Sequence, residues 1–119
     1  MTILLVFAGG AIGAPARYVL DRLVQRHVRA AFPWGTLTVN LVGSAILGAL
    51  LGAGVSHQAT LFAGTGVCGA FTTFSTFGYE TVRLLEDGSV PAAALNALGS
   101  LALGLLTGAA AYAIAATLV

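Results

Sequence analysis

Long apolar runs without charge are the feature that most limits how this chain can fold. Of its 119 residues, 58% are hydrophobic and only 8% are charged, and the mean hydropathy is +0.96. A soluble domain of this size has too little interior to bury so much apolar surface. The sequence therefore predicts an all-α membrane protein, a single transmembrane domain over residues 1–119. With about 20 apolar residues per crossing, four transmembrane helices are expected at about residues 2–25, 34–54, 59–85 and 90–118.

Charge, cysteine content and missing motifs exclude several classes of function. The net charge is +1 and there is no lysine, so a nucleic-acid partner is not expected. No basic region precedes the first apolar run, which therefore does not resemble a cleaved signal peptide. Cys68 is the only cysteine, which rules out an intrachain disulfide and favours a packing role. No catalytic triad, metal-ligand cluster or phosphate loop is present, so an enzyme is not expected.

The third predicted span contains a stretch, residues 64–77, that is poorly suited to a continuous helix. Three glycines come first, and residues 72–77 then contain four hydroxyl side chains and two phenylalanines. Glycine weakens helices, and Ser and Thr offer the backbone competing local hydrogen bonds. One interpretation is a helix broken in mid-membrane around a small ion, since broken backbone at that depth lines a protein site or a water-filled cavity. The alternative is a packing face of small residues between two helices.

The first predicted helix carries small residues and one cation. Gly9 and Gly13 form a GxxxG pattern, which predicts close contact with another helix. Pro15 is expected to kink the helix, because it removes the hydrogen bond to Ala11. Arg17 falls near the end of the span. It is either an arginine that reaches the interface or a cation that attracts an anion into a vestibule.

Polar residues on the other spans follow helical spacing. Asn40 heads a narrow face with Ser44 and Gly48, which suits a pore or a close helix contact. An amide at that depth needs partners, because an unsatisfied one is expensive in lipid. Asn96 and Ser100 form a similar stripe on the last span, continued by glycines that favour packing.

Glu80 follows the third-span stretch and shares a face with Phe77 if the helix resumes there. It is either at the mouth of a polar pathway or an interfacial residue paired with Arg83. Hydroxyls, amides and phenyl edges together can replace the water around a small anion, whereas carbonyls freed at a helix break suit sodium. The spans carry no acid in mid-membrane, which argues against a proton-coupled cation exporter.

Taken together, these motifs resemble the Fluc (CrcB) family of fluoride channels. The resemblance covers essentially the whole chain and depends on residues 9–18, 35–43 and 69–77, with Asn96 and Ser100 in the last helix. It implies an antiparallel dimer with two separate fluoride pores. It also implies that Phe74 and Phe77 are the pore phenylalanines and that Asn40 is the pore amide.

The same resemblance assigns further roles. The backbone carbonyls of Gly69 and Thr72, from both subunits, would hold one structural sodium ion that is not transported. Arg17 and Glu80 match the family's first-helix arginine and its acid after the third-helix motif. The pore set also includes Thr73, Ser100 and Asn96; some members carry tyrosine at the position of Asn96.

The function that the resemblance implies is passive export of fluoride across the plasma membrane by a multi-pass protein embedded in the lipid bilayer. Hydrogen fluoride enters cells neutral and dissociates, and the channel lets the trapped anion leave. Two alternatives come from other classes. A small multidrug-resistance exporter is expected to carry a glutamate in its first helix, and residues 1–16 contain no acid. A structural membrane subunit explains the glycines but not the clustered Thr, Ser and Phe.

The distribution of arginine predicts an orientation. One side of the membrane, where the connections after the first and third helices lie, carries Arg22, Arg26, Arg29 and Arg83, whereas the opposite side carries no Lys or Arg. The positive-inside rule then places both termini outside. The partner in the antiparallel dimer is either a second copy or an oppositely oriented paralogue, and this imbalance favours the paralogue.

Overall fold

A computed structural model describes residues 2–28, 32–72 and 75–118, without the side chains of Ser75 and Thr76. Within these ranges the chain forms helices and no β-strand. The helices are α1 (Thr2–His27), α2 (Trp34–Ala53), α3 (residues 57–71), α4 (Ser75–Glu86) and α5 (Val90–Leu118). The prediction of an all-helical protein is confirmed for this part of the chain.

In the part of the chain that the structure describes, three helices are long and apolar enough to cross a bilayer, namely α1, α2 and α5. Their composition and length make this a multi-pass integral membrane protein. The remaining predicted span is described as two helices, α3 and α4, so a count of four crossings stays a prediction. Pro15 lies inside α1, which continues through it to His27.

Two helices contain π-helical segments. In α3 an α-helical turn, His57–Ala59, leads into the π-helix Thr60–Cys68 and then the α-helical turn Gly69–Phe71. In α5 the π-helix is Leu95–Gly99, between α-helical Val90–Ala94 and Ser100–Leu118. Such segments change the rotation of the residues that follow and are frequent at functional sites.

Helix α3 ends at Phe71, and Thr72 has an extended backbone with φ −79° and ψ 158°. Both the amide and the hydroxyl of Thr72 donate to the Cys68 carbonyl, at 2.9 Å each. Thr73 and Phe74 lie outside the described residues, and α4 begins at Ser75. A break of the third span in mid-membrane therefore also stays a prediction.

Glycines let the helix backbones meet. A Cβ at Gly9 would overlap the Phe62 carbonyl oxygen, and one at Gly13 would overlap that of Val67, so α1 lies directly against α3. The close contact predicted for these two glycines is confirmed. A Cβ at Gly48 would likewise overlap the Gly108 carbonyl oxygen, which joins α2 to α5.

The interior is small, and many of the large apolar side chains point outward. Val39 is fully buried and Cys68 is 3% exposed, which confirms the packing role predicted for the thiol. Ile3 and Leu118 are each 81% exposed, and many other leucines and isoleucines face outward. Lipid tails solvate such side chains, whereas small residues at the helix contacts allow tight packing. The exposed apolar surface is what a lipid-facing protein presents.

Candidate functional site

One face of α2 carries the polar contacts of residues 35–43, the second of the motifs that carry the family resemblance. Thr36 is 3% exposed, and its side chain is hydrogen-bonded to the Glu80 carboxylate of α4. A Cβ at Gly43 would overlap the Thr72 side chain, so α2 also touches the end of α3. Asn40, which is partly buried, lies one helical turn from both contacts, about 5 Å along the axis. The structure thus brings Asn40, Glu80 and Thr72 to the same helix.

Glu80 and Arg17 each have a buried polar atom that no described residue satisfies. The Glu80 Oε1 and Arg17 Nε atoms are buried, with no hydrogen-bond partner among the described residues. Asp21 and Arg83 lie close enough to Glu80 to influence its charge electrostatically. An unsatisfied buried polar atom is expensive, so such atoms often face a ligand, water or partner subunit.

A second set of polar contacts joins α4 to α5. Asn96 is 1% exposed, and its Nδ2 donates to the Thr81 hydroxyl at 2.8 Å. The Thr81 hydroxyl donates in turn to the Phe77 carbonyl at 2.9 Å. The Ser100 hydroxyl lies 3.4 Å from the Asn96 side-chain oxygen, longer than a strong O–H···O bond. Two of the predicted pore residues, Asn96 and Phe77, are thereby connected through Thr81.

The start of α2 is fixed by side chains of α1. The Gln25 side-chain oxygen accepts a hydrogen bond from the Gly35 amide at 2.9 Å, which replaces the cap that Pro33 cannot provide. The Asp21 carboxylate occupies the space that a Cβ at Gly35 would need. Glycine at this position therefore sets how closely α1 and α2 approach, and with it the placement of Thr36.

The two predicted sodium ligands lie near each other at the end of α3. Gly69 is exposed, and a Cβ there would meet no described atom within 4 Å. Thr72 is three residues further on, where the backbone has left the helix. Among the described residues there is no cluster of three or more His, Cys, Asp or Glu side chains for a metal. The oxygens that Gly69 and Thr72 themselves can offer to a cation are their backbone carbonyls and the Thr72 hydroxyl.

The remaining predicted residues divide into two groups. Thr73 and Phe74 lie outside the described residues. Ser100 lies one turn beyond Asn96 on α5, and Arg17 is partly buried on α1.

Sequence reasoning missed Thr36 and Thr81, which bind Glu80 and Asn96. The available signal was spacing, because Thr36 precedes Asn40 by four residues and Thr81 follows Phe77 by four.

The chemistry offered here is that of binding without covalent change. Polar side chains of α2, α4 and α5 contact one another, namely Thr36 with Glu80 and Thr81 with Asn96. Fixed dipoles of this kind can replace the hydration shell of a small ion.

Comparison with known proteins gives close relatives over most of the chain. A relative from Nocardia farcinica, named Fluoride-specific ion channel FluC 1, is 53% identical over 86% of this chain and 72% of its own length. The relative of the same name from Streptomyces avermitilis is 53% identical over 88% of both chains. Fluoride-specific ion channel FluC from Thermus thermophilus is 48% identical over 98% of this chain and 96% of its own.

The profile of one protein family matches nearly the full length of the sequence. It is described as CrcB-like protein, Camphor Resistance (CrcB), and it matches residues 4–112. This range contains all four predicted spans except the first two residues of the first and the end of the last. The chain belongs to the CrcB-like family.

Proposed function

We propose that this chain is a subunit of a fluoride-selective ion channel of the cell membrane. It exports cytoplasmic fluoride passively and so reduces fluoride toxicity. The observation that carries the proposal is the identity of about half the residues, over most of both chains, with relatives named fluoride-specific ion channels. Such similarity decides against the small multidrug-resistance exporter and the purely structural subunit, and no enzymatic step is needed.

The pore lies between α2, α4 and α5. Asn40 supplies amide hydrogens, Phe74 and Phe77 supply the positive edges of their rings, and Thr73 and Ser100 supply hydroxyls. Support comes from the contacts of α4, whose successive residues Glu80 and Thr81 are bonded to α2 and α5 respectively. A channel walled by dipoles favours a small anion without holding it too tightly to leave.

Charged residues stand at the mouth of this pore. Arg17 attracts the anion, and Glu80 is held by Thr36 at the edge of the same region. Their buried atoms without partners among the described residues support a role in a wet or ligand-filled vestibule.

The chain crosses the membrane four times, with the third crossing broken after Phe71. Support comes from Thr72, whose extended backbone follows the last turn of α3. Two subunits in opposite orientation form the channel, which therefore contains two pores. The many exposed apolar side chains leave ample surface for a partner as well as for lipid.

One structural sodium ion lies at the dimer centre, bound by the carbonyls of Gly69 and Thr72 from both subunits. The residues fit this ion. Among the described residues, no atom lies within 4 Å of a Cβ built at Gly69. Thr72 lies where the helical hydrogen bonds of α3 stop, and a helix end leaves carbonyls without intrahelical partners. Hard cations prefer such oxygen ligands.

The test of the function is anion release from liposomes that contain the purified protein. Vesicles loaded with potassium fluoride are diluted into fluoride-free buffer, and a potassium ionophore then removes the charge imbalance. We expect rapid fluoride release with the ionophore and none without it. Vesicles loaded with potassium chloride are expected to retain their anion. Equal release of the two anions rejects a selective channel.

The partner in the dimer is tested by topology. The excess of arginine on one side favours a fixed orientation with both termini outside, and therefore an oppositely oriented paralogue as partner. Single cysteines placed at each end, in a Cys68→Ala background, are labelled from outside intact cells. Labelling of the termini in nearly all molecules supports the paralogue. Labelling in about half of them shows dual topology and a homodimer.

A further inference from the structure

The side chain of Asn96 is buried within a single subunit. It is 1% exposed before any partner subunit covers it, whereas Ser100 one turn away is partly exposed. An anion that approaches along the helix surfaces therefore meets Ser100 more readily than the Asn96 amide. The Asn96 amide instead donates a hydrogen bond inside the protein, to the Thr81 hydroxyl of α4.

The hydrogen bonds around Thr81 have a defined direction. A hydroxyl carries one hydrogen, and Thr81 donates it to the Phe77 carbonyl at 2.9 Å. Thr81 can therefore only accept from its neighbour in α5, which requires a donor at that point. The Asn96 Nδ2 supplies this donor at 2.8 Å, and its side-chain oxygen is turned towards Ser100. The result is a one-way chain from Asn96 through Thr81 to the backbone of Phe77.

The local shape of α5 reinforces this contact. Asn96 lies in the π-helical segment Leu95–Gly99, and α-helical turns precede and follow it. A π-helical turn is uncommon and less regular than an α-helical one, so it persists where tertiary contacts favour it. Here the described contact is the bond to Thr81, and Ala93, 3% exposed, packs just before it.

We propose that Asn96 is a positioning residue, which fixes the Phe77 ring at the pore through Thr81 and does not contact fluoride itself. The proposal deepens the proposed function and rests on it, because it takes Phe77 as part of the pore. Asn96 and Thr81 act as one unit, so that removing either frees the same turn of α4. The Phe77 ring then adopts several orientations, and its edge faces the permeating anion less often.

The experiment is a double-mutant cycle with fluoride release per assembled channel as the readout. Thr81→Val removes one partner with little change in volume, and Asn96→Leu removes the other with a side chain that branches at the same carbon. We expect each to lower fluoride release about fivefold, the effect of losing one buried hydrogen bond. The double variant is expected to lie within about twofold of the more severe single variant, because both changes break the same link. Thr81→Ser, which keeps the hydroxyl, restores wild-type release.

A matched control changes a threonine elsewhere on α5. The Thr117 hydroxyl donates to the Ile114 carbonyl of its own helix at 2.8 Å, and Thr117→Val makes the same chemical change away from the pore. Its release is expected to equal that of the wild type. If Thr81→Val or Asn96→Leu does not assemble, Thr81→Cys and Asn96→Ser take their places in the cycle with the same expected pattern.

Three results overturn the positioning role without overturning the proposed function. Wild-type release from Thr81→Val with reduced release from Asn96→Leu shows that the amide acts on the anion directly. Independent losses, which multiply in the double variant, show two separate contributions. A loss of assembled protein with unchanged fluoride release per channel also rejects the role, because the substitution has then changed only the stability of the channel. Failure of the wild-type vesicles to release fluoride rejects the proposed function itself, and the role of Asn96 with it.

Discussion

The contact of α2 with α5 and the contacts of α4 with its neighbours are built in different ways. Along α2 and α5 the backbones themselves touch, because glycine at positions 48 and 52 leaves space for the carbonyls of Gly108 and Tyr112. Around α4 the contacts are made by polar side chains, Glu80 to Thr36 and Thr81 to Asn96. One region depends on shape and the other on directed hydrogen bonds.

This difference separates the contacts that hold the helices together from the contacts that surround the proposed pore. In lipid, apolar side chains gain little by leaving their surroundings, so close packing of small residues holds helices together. Polar groups in the same medium are expensive and tend to mark the path of an ion or substrate. Changes in the glycine contacts should therefore act on assembly, and changes around α4 should act on permeation.

The largest effect is expected from a large side chain at the α2–α5 contact. Gly48→Leu places its Cβ on the Gly108 carbonyl, which is backbone and cannot move aside cheaply. We expect a loss of about 3 kcal/mol or more of stability and little monodisperse protein in detergent.

The matched control is Gly78→Ala, whose added Cβ meets no atom of the described residues within 4 Å. It should be neutral or stabilising, by up to about 1 kcal/mol, because alanine favours helix. Size-exclusion profiles and melting curves measure both. Wild-type assembly of Gly48→Leu would contradict the scaffold role of this contact.

The next largest effect is expected in the pore, without loss of assembly. Asn40→Asp puts a negative charge where an anion must pass, and we expect fluoride release to fall at least about tenfold. Phe74→Ile and Phe77→Ile remove the ring edges and should also lower release.

The exposed Gln58 provides the control, since Gln58→Glu makes the same change from amide to carboxylate outside the predicted pore. Its release should match the wild type. If all three pore variants conduct normally while remaining assembled, the pore has been misplaced.

The two kinds of helix contact also differ in how far the amino-acid sequence predicts them. The apolar spans and the glycine contacts of α1 were predictable, because length and residue spacing along one helix determine them. The bond between Thr36 and Glu80 was not, because it depends on how two distant helices are rotated against each other. Asn96 drew attention as a polar residue in an apolar span, but its partner Thr81 depends on the π-helical segment of α5, which residue types alone do not predict.

The smallest effect of the three is expected from sodium removal. Binding of an ion to the assembled form stabilises that form, so replacing sodium by a large organic cation should weaken assembly or slow fluoride release. Thr72→Ser should change neither by more than about twofold, because the carbonyl is the ligand and a serine hydroxyl can still donate to Cys68. Unchanged assembly and release after rigorous sodium removal would reject the sodium site.

The most direct measurement of the central claim follows fluoride and chloride in the same vesicles. Liposomes that contain the wild-type protein are loaded with both potassium fluoride and potassium chloride. A potassium ionophore then lets potassium leave with the anions, and two ion-selective electrodes record the release of fluoride and chloride. We expect fluoride to leave rapidly while chloride remains at the level of protein-free vesicles. Parallel release of both anions, or retention of both, would contradict a fluoride-selective pore in this chain.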